Sequence, residues 1–282
     1  MTGEELYNKL SDMLVLPNAF EDWADYREKV TKYIIDNSES DRSIAILGAG
    51  RCNDLDLAKL KEHFSFITLF DRDENAMKEA LRRYGLENNS DIDIEVRDFV
   101  GITDDDYAGY ADLMISELNK KGRDSDLGEI APLMIGRLEE IFKKTRSHSA
   151  NIGIQQYDYA TVFGVHSQLL NMLVWIWAVG LSNIGKTEKS VEERIKKEDL
   201  YQVKKLNDDI NMLVRKGFFL GCEMSRNGIK GGVEGALQAM NDINRRNEKK
   251  LMKINNAAAI TWPLNPKENI NYQMCLLTVS TF

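Results

Sequence analysis

Short apolar runs and amphipathic stretches alternate along this 282-residue chain. An uninterrupted apolar run is typical of a strand covered on both faces, whereas apolar positions three or four apart indicate a helix. The runs predict strands at 43–48, 64–70, 91–99, 157–165, 218–225, 257–264 and 272–282. The helical spacing predicts helices at 4–14, 20–36, 54–63, 73–84, 167–180, 190–217 and 231–250, and mostly helix over 104–150. Gly85 and Gly217 are the predicted ends of two of these helices.

Strand and helix alternate from residue 43 to residue 99, and this order predicts a parallel sheet with right-handed crossovers. The last two strands flank an "NPKEN" turn and predict a hairpin. Residues 104–150 are longer than a simple connection needs. We therefore predict an α/β fold with an N-terminal helical extension, 1–40, followed by one domain, 41–282, that carries a helical insertion around 104–150.

The run "SIAILGAGRCNDLDL" breaks at a glycine pair where the first strand ends. In a doubly wound sheet, ligands bind outside the carboxyl ends of the strands, and glycine there allows close approach to the backbone. Asp71 ends the second predicted strand, where its carboxylate could accept from both ribose hydroxyls. Asp98 ends the third, beside Phe99, where it could accept from an adenine amino group. The alternatives are a plain tight turn at Gly48 and Gly50 and two helix-capping aspartates.

A nicotinamide dinucleotide domain would require GxGxxG, whose last glycine lets the helix pack closely on the strand. That position is Asn53 in this chain. A seven-stranded order ending in a hairpin also departs from the usual dinucleotide domain. The sequence therefore disfavours an oxidoreductase.

Four segments carry a resemblance: "ILGAGRCNDLDL", "LFDRD", "VRDFVGI" and "TVFGVHSQLL". They resemble motifs of the class I S-adenosylmethionine-dependent methyltransferases, the first in the GAGxCNDxxL form of a poorly characterised bacterial group. The resemblance implies a Rossmann-like seven-stranded sheet, mostly parallel with an antiparallel last strand, and helices on both faces. The chain departs from the family pattern at Ile46, where many members carry an acid, and at Cys52, where a third glycine is usual.

The resemblance also implies a role for particular residues. The glycine turn would hold the methionine part of S-adenosylmethionine, Asp71 the ribose and Asp98 the adenine amine, while the end of the fourth strand would face the sulfonium and the acceptor. The implied cofactor-binding set is Gly48, Ala49, Gly50, Asn53, Asp71, Arg72, Asp98, Phe99, Gly164, Val165 and Gln168. S-adenosylhomocysteine would be the product.

Methyl transfer from a sulfonium needs alignment above all, and a general base only when the acceptor must lose a proton. His166 is the candidate base, since it follows the fourth strand and histidine titrates near neutral pH; the alternative is a helix cap or a packing role. We expect a small-molecule acceptor rather than a nucleic acid. A second hypothesis is a sensor or scaffold that binds the adenosyl cofactor without catalysis. The helical additions could form a lid or, equally, the interface of a homodimer.

Composition changes this interpretation little. Apolar residues make up 43% and charged residues 29% of the chain, and the formal charge of −8 argues against a general binder of nucleic acid or anionic membranes. Three scattered cysteines without a CxxC pair fit a reducing compartment and predict no metal site. The start lacks signal-peptide features, and the apolar stretch 169–181 is shorter than the ~20 residues that span a bilayer. We expect a cytoplasmic protein without a membrane segment.

Overall fold

The structure is a computed structural model that describes residues 1–227 and 233–281. The described strands are β1 (Ser43–Leu47), β2 (Phe66–Asp71), β3 (Ile92–Val96), β4 (Tyr157–Phe163), β5 (Val214–Arg226), β6 (Met252–Asn265) and β7 (Ile270–Thr281). The described helices are α1 (Gly3–Met13), α2 (Ala19–Asp22), α3 (Ala24–Asp36), α4 (Leu57–His63), α5 (Glu74–Tyr84), α6 (Asp104–Lys121), α7 (Leu127–Ser147), α8 (Asn171–Ile184), α9 (Ser190–Leu213) and α10 (Glu234–Glu248). The predicted helix start at 231–232 and the predicted strand residue 282 lie outside the described residues.

The seven strands form one sheet in the order β3-β2-β1-β4-β5-β7-β6. The pairs among β1 to β5 are parallel, and β7 is antiparallel to both of its neighbours. Helices cover both faces: on β5, Phe219 packs against Tyr33 of α3, with ring centroids 6.4 Å apart, whereas Cys222 faces the backbone of Met240 in α10. The predicted Rossmann-like seven-stranded sheet, mostly parallel with an antiparallel last strand and helices on both faces, is therefore confirmed.

The strand register brings several strand ends to one edge of the sheet. Leu47, the last residue of β1, pairs with Phe70 of β2 and with Val162 of β4. Chain segments that leave these three strands therefore start side by side, and that edge carries the glycine turn. Apolar residues of β1 and β2 are almost fully buried beneath it, and each buried Ile or Leu contributes about 2–3 kcal/mol. They include Ile44, Ile46, Ile67 and Leu69.

The chain divides into two compact units. One contains the helices within Met1–Leu16, Phe99–Ala150 and Gln168–Val203. The other contains the sheet, within Pro17–Asp98, Asn151–Ser167 and the described residues from Lys204 onward. This grouping differs from the predicted division into 1–40 and 41–282, because α1 packs on α6 within the first unit while α2 and α3 pack with the sheet.

Several predicted elements have other bounds in the structure. Gly217 does not end a helix: α9 ends at Leu213 and the chain enters β5 directly, so Gly217 lies inside a strand. The third strand ends at Val96 rather than at 99, which leaves Asp98 two residues beyond it. The helix predicted over 54–63 begins only at Leu57, and the one predicted over 167–180 begins at Asn171. The helix predicted over 20–36 is interrupted between α2 and α3.

Candidate functional site

The glycine turn joins β1 to the end of β2. The amides of Gly48 and Ala49 both donate to the carbonyl oxygen of Phe70, at 2.8 and 3.1 Å. Gly48 and Gly50 have φ of +70° and +48°, a region that side chains with a Cβ rarely adopt. A Cβ on Gly48 would lie 2.3 Å from Cγ2 of Val165, so the segment after β4 packs directly on this turn. Gly50 is different, because a Cβ there would meet only Oδ2 of Asp71, at 3.9 Å.

Cys52 replaces the third glycine of the family pattern without changing the backbone. Its φ is +47°, so the left-handed conformation that a glycine would favour is kept by a residue with a side chain. The side chain is 1% exposed and belongs to the core. Burial of the sulfur offsets a backbone strain of about 1–3 kcal/mol.

Asp71 is bonded to the glycine turn. Its Oδ2 accepts from the amide of Gly50 at 2.8 Å and its Oδ1 accepts from the amide of Asp73 at 2.9 Å. Burial raises the pKa of this half-buried carboxyl, and the amide donors at Asp73 and Gly50 act in the opposite direction. The carboxylate also accepts from the backbone of Arg72, and with about four acceptor positions in all it keeps capacity for a ligand hydroxyl. The neighbouring Arg72 is exposed.

The other predicted cofactor-binding residues are divided between the two units. Val96 pairs with Asp71, so the half-buried Asp98 follows two residues further along that edge. Gly164 and Val165 follow β4 in the sheet unit, whereas Phe99 and the exposed Gln168 are the first residues of segments in the helical unit. The side-chain oxygen of Asn53 accepts from Arg83 at 2.7 Å. That bond ties the turn to α5.

His166 is enclosed in a polar network. It is 2% exposed, and its Nε2 lies 3.0 Å from Oδ1 of Asn207. Because Asn207 donates through Nδ2 to Asp242, its Oδ1 faces the ring and Nε2 carries the proton. Arg246 donates to the same Asp242 oxygen at 2.7 Å. Burial lowers the pKa of His166 to about 4, so the ring is neutral at physiological pH and is a weak base. Its catalytic role stays a prediction.

Glu223 is a candidate site residue that sequence reasoning missed. It lies on β5 two residues beyond Gly221, the partner of Phe163 at the end of β4, and is 3% exposed. Ser167 donates to its Oε1 at 2.8 Å, while Oε2 has no hydrogen-bond partner among residues 1–227 and 233–281. Burial raises the pKa of this carboxyl. The signal was present as a single acid within the apolar run "FFLGCEM".

Asp54 is the second missed carboxyl group. It lines a narrow recess with residues of the glycine turn, Ile46 and Phe163. Burial raises its pKa to about 6, although a backbone hydrogen bond and the charge of Arg27 act in the opposite direction. A buried carboxyl group with a pKa that close to neutral, beside the glycine turn, marks a candidate functional residue.

Four aromatic rings stand at the same end of the sheet. The Trp262 ring lies 4.9 Å from Trp23, 5.5 Å from Tyr26 in a stacked arrangement, and 5.9 Å from Tyr272, measured between centroids. Burial raises the pKa of the Tyr26 hydroxyl, and the negative charges of Asp54 and Glu223 raise it further. Tyr26 therefore lies within electrostatic reach of both carboxyl groups. We call Trp23, Tyr26, Trp262 and Tyr272 the aromatic cluster.

A larger cavity, of about 330 Å³, lies at the opposite edge, where β4 and β5 begin. Its two cationic residues are paired, Arg215 with Asp158 at 3.2 Å and Lys216 with Glu39 at 2.6 Å. Because both cations already have partners within the protein, this cavity is not the candidate site despite its size.

Within residues 1–227 and 233–281, no three histidine, cysteine or acidic side chains come together as metal ligands. No helix of that part of the chain has the length and apolarity needed to cross a membrane.

Comparison with family models and with curated proteins finds no match for this chain. Among solved structures, the chain is similar to the N-methyltransferase NodS from Bradyrhizobium japonicum in complex with S-adenosyl-L-homocysteine, with 11% identity over 98% of this chain and 97% of that one and a TM-score of 0.47. It is similar to magnesium protoporphyrin IX methyltransferase from Synechocystis with bound S-adenosylhomocysteine, with 8% identity over 93% and 84% and a TM-score of 0.42. It is also similar to a Pyrococcus horikoshii protein described as a candidate RNA methyltransferase, with 8% identity over 90% of this chain and 80% of that one and a TM-score of 0.41. Such remote likeness leaves the acceptor and the residue roles unidentified.

Proposed function

We propose that this protein is an S-adenosylmethionine-dependent methyltransferase with a small-molecule acceptor. The observation that carries the proposal is the glycine turn after β1, bonded through the Gly50 amide to Asp71 at the end of β2, in a sheet of the order β3-β2-β1-β4-β5-β7-β6 with β7 reversed. The motif "GAGRCNDLDL" supports membership of the GAGxCNDxxL group.

The residues at this edge fit the chemical groups of S-adenosylmethionine. A Cβ added to Gly50 would have Oδ2 of Asp71, 3.9 Å away, as its nearest contact in the described part of the chain. A ligand can therefore approach the peptide plane at this residue. Asp71 would accept from the ribose hydroxyls and Asp98, with Phe99, would bind the adenine. Asp54 would hold the methionine ammonium group, since it lines the recess beneath the turn. The remaining members of the proposed set are Ala49, Asn53, Arg72, Gly164, Val165 and Gln168.

When bound, the sulfonium supplies an activated methyl group whose leaving sulfide needs no further activation. The protein then has to hold the acceptor in line and keep water out. Alignment of this kind can contribute about 7–11 kcal/mol to the barrier reduction. Such a mechanism fits a site that has many ligand-binding groups and few catalytic ones.

Two glycine substitutions separate cofactor binding from folding. Gly50→Ala and Gly85→Ala both place a Cβ at positive φ, +48° and +67°, and neither Cβ meets another atom closer than 3.9 Å. Both should cost a similar 1 kcal/mol or so of stability. Only Gly50→Ala should weaken the binding of S-adenosylhomocysteine in calorimetry, by at least tenfold, and NAD should bind to neither variant nor to the wild type. Equal affinities in the two variants, or tight binding of NAD, would refute the proposal.

A further inference from the structure

The buried carboxyl group of Glu223 has one oxygen without a partner in the described part of the chain. Its Oε1 accepts from Ser167, whereas Oε2 is unpartnered among residues 1–227 and 233–281 although the side chain is 3% exposed. An unsatisfied buried carboxyl oxygen is unfavourable and calls for an explanation. A ligand that supplies an N–H or O–H donor is such an explanation.

Ser167 bridges Glu223 and the end of β4. Its Oγ lies 2.8 Å from Oε1 of Glu223 and 3.0 Å from the carbonyl oxygen of Gly164. These two acceptors share the single hydroxyl proton, so Ser167 fixes the position of the carboxyl group without transferring a proton to it. Burial raises the pKa of Glu223, which favours uptake of a proton from a ligand at Oε2.

Glu223 contacts the segment after β4, which in the proposed function faces the acceptor. Ser167 and Gly164 follow β4, and a Cβ on Gly164 would stand 3.6 Å from Oε1 of Glu223. Val165, between them, contacts the glycine turn at Gly48. The segment Gly164–Ser167 therefore connects the carboxyl group of Glu223 to the glycine turn, which would hold the methionine part of the cosubstrate.

The aromatic cluster favours a cationic acceptor. The Trp262 ring packs on Tyr26 and on Tyr272, with centroids 5.5 and 5.9 Å apart, and Tyr272 pairs across the sheet with Arg226, three residues beyond Glu223 on β5. The faces of Trp and Tyr attract cations. A carboxylate beside such rings favours an ammonium group. A hydroxyl acceptor would bring no positive charge and would give up its proton to a carboxylate far less readily.

We propose, building on the methyltransferase function above, that the acceptor is an amine whose nitrogen binds at Oε2 of Glu223 beside Tyr26 and Trp262, and that Glu223 takes the proton that this nitrogen must lose. The N–H bond of the ammonium group breaks, its electron pair stays on nitrogen, and the proton forms an O–H bond with Oε2. Burial drives this transfer, because two charged groups become a neutral amine and a neutral acid in surroundings of low polarity. The lone pair is then available for methylation, and the acid later releases its proton to water.

The test measures binding of two amines against their neutral isosteres, butylamine with butanol and benzylamine with benzyl alcohol. Kd is measured by NMR titration in the presence of saturating S-adenosylhomocysteine, for the wild type, Glu223→Gln and the control Glu87→Gln, which removes an exposed glutamate. At least one amine should bind tenfold or more tightly than its alcohol to the wild type and to Glu87→Gln. In Glu223→Gln the ratio should fall to about one.

Glu223→Gln is expected to fold, because the amide oxygen still accepts from Ser167 and no buried charge remains; its melting temperature and its affinity for S-adenosylhomocysteine should match or exceed those of the wild type. Carbon-13 NMR gives a second readout: bound amine should shift the Glu223 carboxyl resonance of the wild type. Amines that bind no better than alcohols, or that keep their preference in Glu223→Gln, would overturn this inference alone. Failure of the wild type to bind S-adenosylhomocysteine would instead refute the methyltransferase function.

Discussion

Asp54 makes the stability of this protein depend on pH in a way that one substitution should remove. The ordinary pKa of its carboxyl is 3.8, and burial raises it to about 6 in the folded chain. The difference, at about 1.36 kcal/mol per pH unit, corresponds to about 3 kcal/mol. Because the side chain is only half-buried, solvent screening reduces the expected effect to about 1–3 kcal/mol.

The sign follows from the raised pKa. The folded state holds the Asp54 proton more tightly than the unfolded state does, so this contribution to stability is fully present below about pH 4 and is lost as the pH rises through about 6. Asp54→Asn has no proton to lose. The free energy of unfolding of Asp54→Asn, minus that of the wild type, should therefore rise by about 1–3 kcal/mol between about pH 4 and about pH 8.

Urea unfolding followed by circular dichroism at a series of pH values measures this difference. Subtraction of the two curves cancels the other titrating groups, among them Glu223 and Asp71, and the exposed Asp105→Asn serves as a matched control with no pH-dependent difference. If the difference in unfolding free energy between Asp54→Asn and wild type stays constant with pH, the pKa of Asp54 is not raised by burial and the reasoning is wrong. If Asp54 binds the cosubstrate ammonium group, saturating S-adenosylhomocysteine should also stabilise the wild type more strongly at about pH 8 than it stabilises Asp54→Asn.

Three further outcomes follow from the packing. Gly217→Ala should destabilise the protein by at least about 3 kcal/mol in urea unfolding, because its Cβ would lie 2.1 Å from the carbonyl oxygen of Val279, whereas Gly136→Ala, in an open helical position, should stabilise it by about 0.5–1 kcal/mol. Nitrogen-15 NMR should show His166 neutral and protonated at Nε2 between about pH 5.5 and 8; a titration in that range would contradict its burial. Asp242→Ala, which leaves buried donors without an acceptor, should cost about 2–4 kcal/mol in the same urea assay, and a loss below about 1 kcal/mol would show that the network around it is not tightly coupled.

Local patterns predicted most of the strands and helices, because buried parallel strands read as short apolar runs. The end of α9 shows where local information fails. Gly217 follows a long amphipathic helix and is a reasonable helix stop, yet its residue type is required by the carbonyl of Val279 on a strand more than sixty residues later. No local rule contains that contact.

The candidate site was predictable only in part, for the same reason. Gly48, Gly50 and Asp71 follow strands that can be recognised from the sequence, and the structure joins Gly50 to Asp71. Glu223 becomes a candidate site residue through its contact with Ser167, 56 positions away, and the buried ring of His166 is held by Asn207, 41 positions away. Partners at such separations are set by the topology of the whole sheet.

The two departures of the first motif from the family pattern are resolved by the fold in different ways. Cys52 preserves the left-handed backbone that the missing glycine would adopt, at the cost of local strain. Ile46 lacks the acid, but Asp54 lines the same recess as Ile46 and brings a carboxyl group to it from the other side of the turn. Burial raises the pKa of this acid to about 6. The loss of negative charge below that pH should weaken any cation held in the recess, so cosubstrate affinity is expected to fall as the pH drops through about 6 in the wild type and to stay level in Asp54→Asn.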